Sequence, residues 1–126
     1  LQDCLDRVEE ESRSPEEKFE RMKDLLIRHR EEAVIAITQK NRLKFNLEKA
    51  RDVKEQLRIK AAETYESGDR DKAHGLLQQL ISCDLKRAEL EGQFVKADAH
   101  VERIKVAIKA EEEEINRRAK ERKGKP

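Results

Sequence analysis

The chain has 126 residues, a length that points to one domain. Charged residues make up 45% of it and aromatics 3%, which excludes a globule with a thick core and fits long helices or a coiled coil. Its net charge of +1 gives no global field that would select nucleic acid or acidic substrates. Cys4 and Cys83 make no disulfide framework and fit a reducing compartment. The longest apolar run, Ala33-Val34-Ile35-Ala36-Ile37, falls far short of a membrane span, and no signal-peptide pattern is present. The chain begins at Leu1 rather than Met, as a segment cut from a longer protein would.

Residues 1–13 form a short amphipathic leader, with Leu1, Leu5 and Val8 at helical spacing and Cys4 beside them. Glu9, Glu10 and Glu11 end that stripe. Ser14-Pro15-Glu16-Glu17 then starts a helix: Ser caps free amides, Pro suits the first turn, and the acids suit the positive end of the helix dipole. The first long helix is expected over about 15–66, a rod on the order of 75 Å. Its apolar seam steps by three and four without a slip through Phe19, Met22, Leu26, His29, Ala33, Ala36, Lys40, Leu43, Leu47, Ala50, Lys54, Leu57, Ala61 and Thr64. That spacing makes the narrow stripe required for knobs-into-holes packing.

Ser67-Gly68-Asp69 breaks the pattern. Gly68 can take the left-handed conformation that closes a helix, and Asp69 can cap the next. The second helix is expected over about 70–123, stopped by Gly124 and Pro126. Its seam runs through Ala73, Leu76, Leu80, Cys83, Arg87, Leu90, Phe94, Ala97, Val101, Ile104, Ile108, Glu111, Ile115 and Arg118. Folded back at residues 67–69, the two seams pair one to one, from Thr64 opposite Ala73 to Phe19 opposite Arg118. Polar seam members then avoid each other: Lys40 falls opposite Ala97, Arg87 opposite Ala50, Lys54 opposite Cys83 and His29 opposite Ile108. A long cation can lay its stem over a small partner and hold its head in water. The expected fold is all-α, a long antiparallel two-helix coiled-coil hairpin (residues 14–126) behind the leader. Gly75 and Gly92 interrupt the second helix at expected outward positions, either as tolerated surface residues or as points of close approach by another chain.

Chemistry-bearing constellations are missing. His29, His74 and His100 are far apart in the sequence, without metal-ligand spacing to Cys or Asp. There is no phosphate loop or nucleophile elbow, and a two-helix rod offers no pocket to desolvate its many carboxylates. The expectation is a non-enzyme with no catalytic residue, metal or cofactor. The basic run Arg117, Arg118, Lys120, Arg122, Lys123, Lys125 could hold nucleic acid or anionic lipid. Intramolecular pairing is the better-supported reading. Lys120 is expected near Glu17, the tail beside Glu9 to Glu11, and Glu111 to Glu114 alongside Lys23 and Arg28.

A second set of apolar residues lies off the seam. Ile27, Val34, Ile35, Ile37, Phe45 and Ile59 on the first helix, and Ile81, Leu85, Val95 and Val106 on the second, point away from the expected partner. Single exposed apolars mean little. A recurring outer set predicts that something packs there, either a third helix or neighbouring copies side by side, which would build rings or filaments.

Three stretches carry a resemblance: Leu1-Gln2-Asp3-Cys4-Leu5-Asp6-Arg7-Val8, Ser14-Pro15-Glu16-Glu17-Lys18, and Ser67-Gly68-Asp69-Arg70-Asp71-Lys72-Ala73-His74-Gly75-Leu76-Leu77. With the heptad hairpin they resemble the phage shock protein A family, which includes plastid vesicle-inducing relatives and belongs to the ESCRT-III superfamily. Ser14-Pro15 stands where that family usually has Asp-Pro. The resemblance covers nearly all of this chain but only the N-terminal half of a family member. It implies a cytoplasmic, peripheral membrane protein that forms homo-oligomers and binds, protects or remodels membranes. Leu1, Leu5 and Val8 would contact lipid, although Asp3, Asp6 and Glu9 to Glu11 repel anionic headgroups. It also allows restraint of an AAA-type transcriptional activator, as in bacterial phage shock systems. Two competing expectations are a coiled-coil adaptor or stalk of a secretion or motor assembly with no membrane activity, and a nucleic-acid-associated hairpin using the basic run.

Overall fold

In the computed structural model the chain is all-helical. The structure describes residues 1–124, with the backbone alone at residues 9–11. Three helices follow in order: α1 (Gln2–Ser12), α2 (Pro15–Glu66) and α3 (Arg70–Lys123). No strand occurs among the described residues.

The ends of the helices are set by local chemistry. Ser14 Oγ accepts a hydrogen bond from the Glu17 amide at 3.2 Å, satisfying one of the free donors at the start of α2. At its far end the Ser67 hydroxyl donates to the Thr64 carbonyl at 2.7 Å, and the Gly68 amide donates to the Tyr65 carbonyl at 3.1 Å. Gly68 has φ +92°, where a Cβ would be strained. Asp69 Oδ1 then accepts from the Lys72 amide at 3.2 Å and opens α3. Lys120, Arg122 and Lys123 lie in the last turn of α3, where cations offset the negative end of the helix dipole.

The chain divides into two compact units, one made of Ala36–Val101 and the other of Leu1–Ile35 with the chain from Glu102 onward. In the first, the two long helices pack antiparallel: Lys40 reaches Asp98, Arg51 reaches Glu91, and Lys54 reaches Asp84. Ala36, Leu47, Ala61, Ala73, Leu76 and Val101 are its buried side chains. Three of the six are alanines, whose small side chains let the two helix backbones approach closely. In the second unit the same two helices pair with the same polarity, through Arg122 to Glu16 and Arg30 to Glu112, over buried Phe19 and Leu26. Every seam residue of both long helices is buried or half-buried.

The glycines separate two roles. No atom lies within 4 Å of a Cβ built at Gly75 or Gly92, so the packing of this chain requires neither. Gly75 is half-buried rather than outward, and Gly92 is exposed. Replacing Gly75 with Ala is expected to stabilise the fold by about 0.5–1 kcal/mol, the ordinary helix-interior gain. Gly68→Ala is expected to destabilise it by about 1 kcal/mol because of the positive φ. Denaturant melts of the two variants should therefore shift in opposite directions.

Candidate functional site

The charged members of the seam are held by carboxylates. Lys40 Nζ lies 2.6 Å from Asp98 Oδ1, and Lys54 Nζ lies 2.7 Å from Asp84 Oδ1. Arg87 donates from Nε to Asp84 at 2.7 Å and from Nη1 to Glu91, which also lies 3.5 Å from Arg51. Asp84, Glu91 and Asp98 form one acidic edge of α3 at heptad spacing. The expectation that these cations would simply reach water is corrected, because a carboxylate stands beside each one and a charge-assisted hydrogen bond competes with hydration.

At His29 a polar seam residue meets another across layers rather than within one. Its Nδ1 lies 2.6 Å from Glu111 Oε1, with both side chains half-buried. These residues occupy neighbouring layers, and the glutamate is long enough to cross from one layer to the next. Glu112 meets Arg30 at 3.1 Å. Glu111 and Glu112 thus pair with His29 and Arg30, whereas Lys23 lies 2.8 Å from Glu20 of its own helix. Glu114 binds Arg117 and Arg118.

Several members of the basic run are engaged within the chain. Arg117 bonds to Glu114 and Glu121, and Arg118 to Glu114. Arg122 lies 3.5 Å from Glu16, where proximity of Lys120 to Glu17 was expected, and 4.8 Å from the centre of the Phe19 ring. Lys125, and the expected alignment of the tail with Glu9, Glu10 and Glu11, lie outside the described residues.

Two of these carboxyls are held below their ordinary range. Hydrogen bonds from Arg117 and then Arg118 pull the Glu114 carboxyl from 4.5 down to about 2. Hydrogen bonds from Lys54 and then Arg87 hold Asp84 below its ordinary value. A carboxyl with a depressed folded-state pKa stabilises the fold above its unfolded pKa, and that contribution is lost as pH falls through the folded one. Because these groups are solvent-exposed, thermal midpoints are expected to fall modestly and progressively as pH drops from 4.5 toward 2. A midpoint unchanged across that window would show that these pairs add nothing to the fold.

Among the described residues, no three His, Cys, Asp or Glu side chains form a group able to hold a metal ion, and no helix is long and apolar enough to cross a membrane. The outer apolar set stands in solvent with one exception. Ile27, Val34, Ile35, Phe45 and Ile59 on α2, and Ile81, Leu85, Val95 and Val106 on α3, are exposed. Ile37 is half-buried beside the seam. Leu1, just ahead of α1, and Leu5 and Val8 on it are exposed as well.

Within α3 the outer residues form a second ladder. Ile81, Leu85, Ala88, Gly92, Val95 and Ala99 follow one another at steps of four and three, and all six are exposed. Attention to large apolar residues alone passes over Ala88, Gly92 and Ala99. The signal that finds them is the step pattern itself, repeated on the face away from the seam.

Compared with known proteins, the chain matches no family model, no curated protein and no solved structure.

Proposed function

We propose that this chain is a self-assembling peripheral membrane protein of the phage shock protein A type. In this reading it is a long antiparallel coiled-coil hairpin behind an amphipathic leader, and it has no enzymatic role. Copies join side by side into rings or filaments on the cytoplasmic face of a membrane, which they bind, protect or remodel.

The observation that carries the reading is the exposed ladder from Ile81 to Ala99. The seam already accounts for one apolar stripe on α3, so its internal packing partner does not explain a second stripe at the same spacing. The small residues Ala88, Gly92 and Ala99 would let another helix approach closely, as packing between copies requires. Lipid contact in this reading runs through Leu1, Leu5 and Val8.

Light scattering and vesicle flotation test the proposal together. The 126-residue chain is expected to form large assemblies and to float with vesicles, and to lose flotation when residues 1–13 are removed. A mass that stays at one or two chains, with no flotation under any lipid or salt condition, would overturn the proposal and favour the adaptor reading. The acidity of α1 favours that second reading, because residues 1–12 carry five acids against one arginine.

A further inference from the structure

Two successive seam layers of Ala36–Val101 lack a large apolar residue. Ala50 belongs with Arg87 in one, and Cys83 with Lys54 in the other. Both cations lean toward the acidic edge, where Asp84 and Glu91 hold their heads. The other side of these layers is left open as a groove of about 450 Å³. Ala50, Val53, Cys83 and Leu90 give it an apolar lining, flanked by exposed Asn46, Lys86 and Lys49, whose Nζ also lies 5.3 Å from the centre of the Phe45 ring. Neither seam cation nor any carboxylate lines it among the described residues.

The chain also carries a segment suited to such a groove. At the N-terminus, Leu1, just ahead of α1, and Leu5 and Val8 within it follow the four-three spacing by which one helix packs on another, and all three are exposed in their own chain. The surrounding sequence is strongly acidic, whereas the groove has a basic rim. A short amphipathic helix laid in an apolar groove, with opposite charges at the edge, is a recurrent mode of recognition.

We propose that the N-terminal segment of a second copy, Leu1 and α1, docks in the groove between Ala50 and Cys83, its Leu1, Leu5 and Val8 on the apolar floor and its acids toward Lys49 and Lys86. This inference rests on the self-assembly reading, and names one of its contacts. The face assigned to lipid at a membrane thus has a protein site when lipid is absent.

The native cysteines report on the contact. Cys4 borders the apolar face of α1, and Cys83 lines the groove; both are free thiols. Full-length Cys4→Ser and Cys83→Ser chains are mixed without lipid, treated with a mild oxidant, and analysed by non-reducing gel and peptide mapping. The expected product is a Cys4–Cys83 disulfide joining the two chains, its yield falling at least tenfold when Leu5→Asp and Val8→Asp are added to the chain that supplies Cys4. Lys49→Glu with Lys86→Glu in the chain that supplies Cys83 should lower it in the same way. Absence of the mixed disulfide, or a yield indifferent to these substitutions, overturns the docking. Formation of the same disulfide within single wild-type chains overturns the choice of occupant. Light scattering on the same samples separates the failures: large assemblies without the disulfide overturn the docking alone, while single chains without it overturn self-assembly too.

Discussion

Leu85→Glu combined with Val95→Glu is expected to break up large assemblies while leaving the helices intact. Both residues are exposed, at 69% and 60%, so neither substitution leaves a cavity or buries a charge within the chain. Glu is at least as good a helix former as Val and close to Leu, so helical content should hold and the thermal midpoint should move little. Between copies the effect is different. Burying a Leu or Val side chain contributes about 1.5–3 kcal/mol, so losing two from each contact weakens it by roughly 3–6 kcal/mol. That corresponds to a factor on the order of 10²–10⁴ in affinity, enough to end assembly at micromolar concentrations. The Leu85→Gln, Val95→Gln pair separates lost apolar area from added repulsion, and should act in the same direction at any salt concentration. Scattering masses that match wild type in both double variants would remove the ladder as an assembly surface.

The second large effect is internal. Leu47 is 3% exposed and lies on the seam of α2. Leu47→Ala removes apolar atoms that the neighbouring helix covers and leaves a cavity that two stiff helices close only partly. The expected loss is about 2–4 kcal/mol, with a fall in thermal midpoint on the order of 10 °C. Set against the 5–15 kcal/mol typical of a folded domain, that is a large share. Phe45, two residues away, is 59% exposed, and Phe45→Ala should cost no more than about 1 kcal/mol despite deleting more atoms. Equal losses at the two positions in a calorimetric comparison would show that the seam is not the buried face.

The two long helices and the turn between them were legible in the sequence because the signals that set them are local. Ser14 and Asp69 each bond an amide three residues ahead, and Gly68 supplies a positive φ. Neither contact needs knowledge of a distant segment. The seam was legible for a related reason. A three-four step places side chains on one stripe whatever lies opposite, and the burial of Leu26, Ala36, Leu47, Ala61, Leu76 and Val101 follows that stripe.

Tertiary structure decided what the polar side chains do. Periodicity assigns Lys54 and Arg87 to the seam but is silent on which of several nearby carboxylates a flexible cation reaches. Both turn to Asp84, and neither lines the groove at Ala50 and Cys83. His29 meets Glu111 from a neighbouring layer, and Ile37 is half-covered beside the seam although its position reads as outward. Long side chains span more than one layer of a helix pair, so their partners depend on rotamers and axial stagger in three dimensions. The chain's backbone plan was therefore written in spacing and caps, whereas its ion pairs and its groove exist only once the two helices are packed.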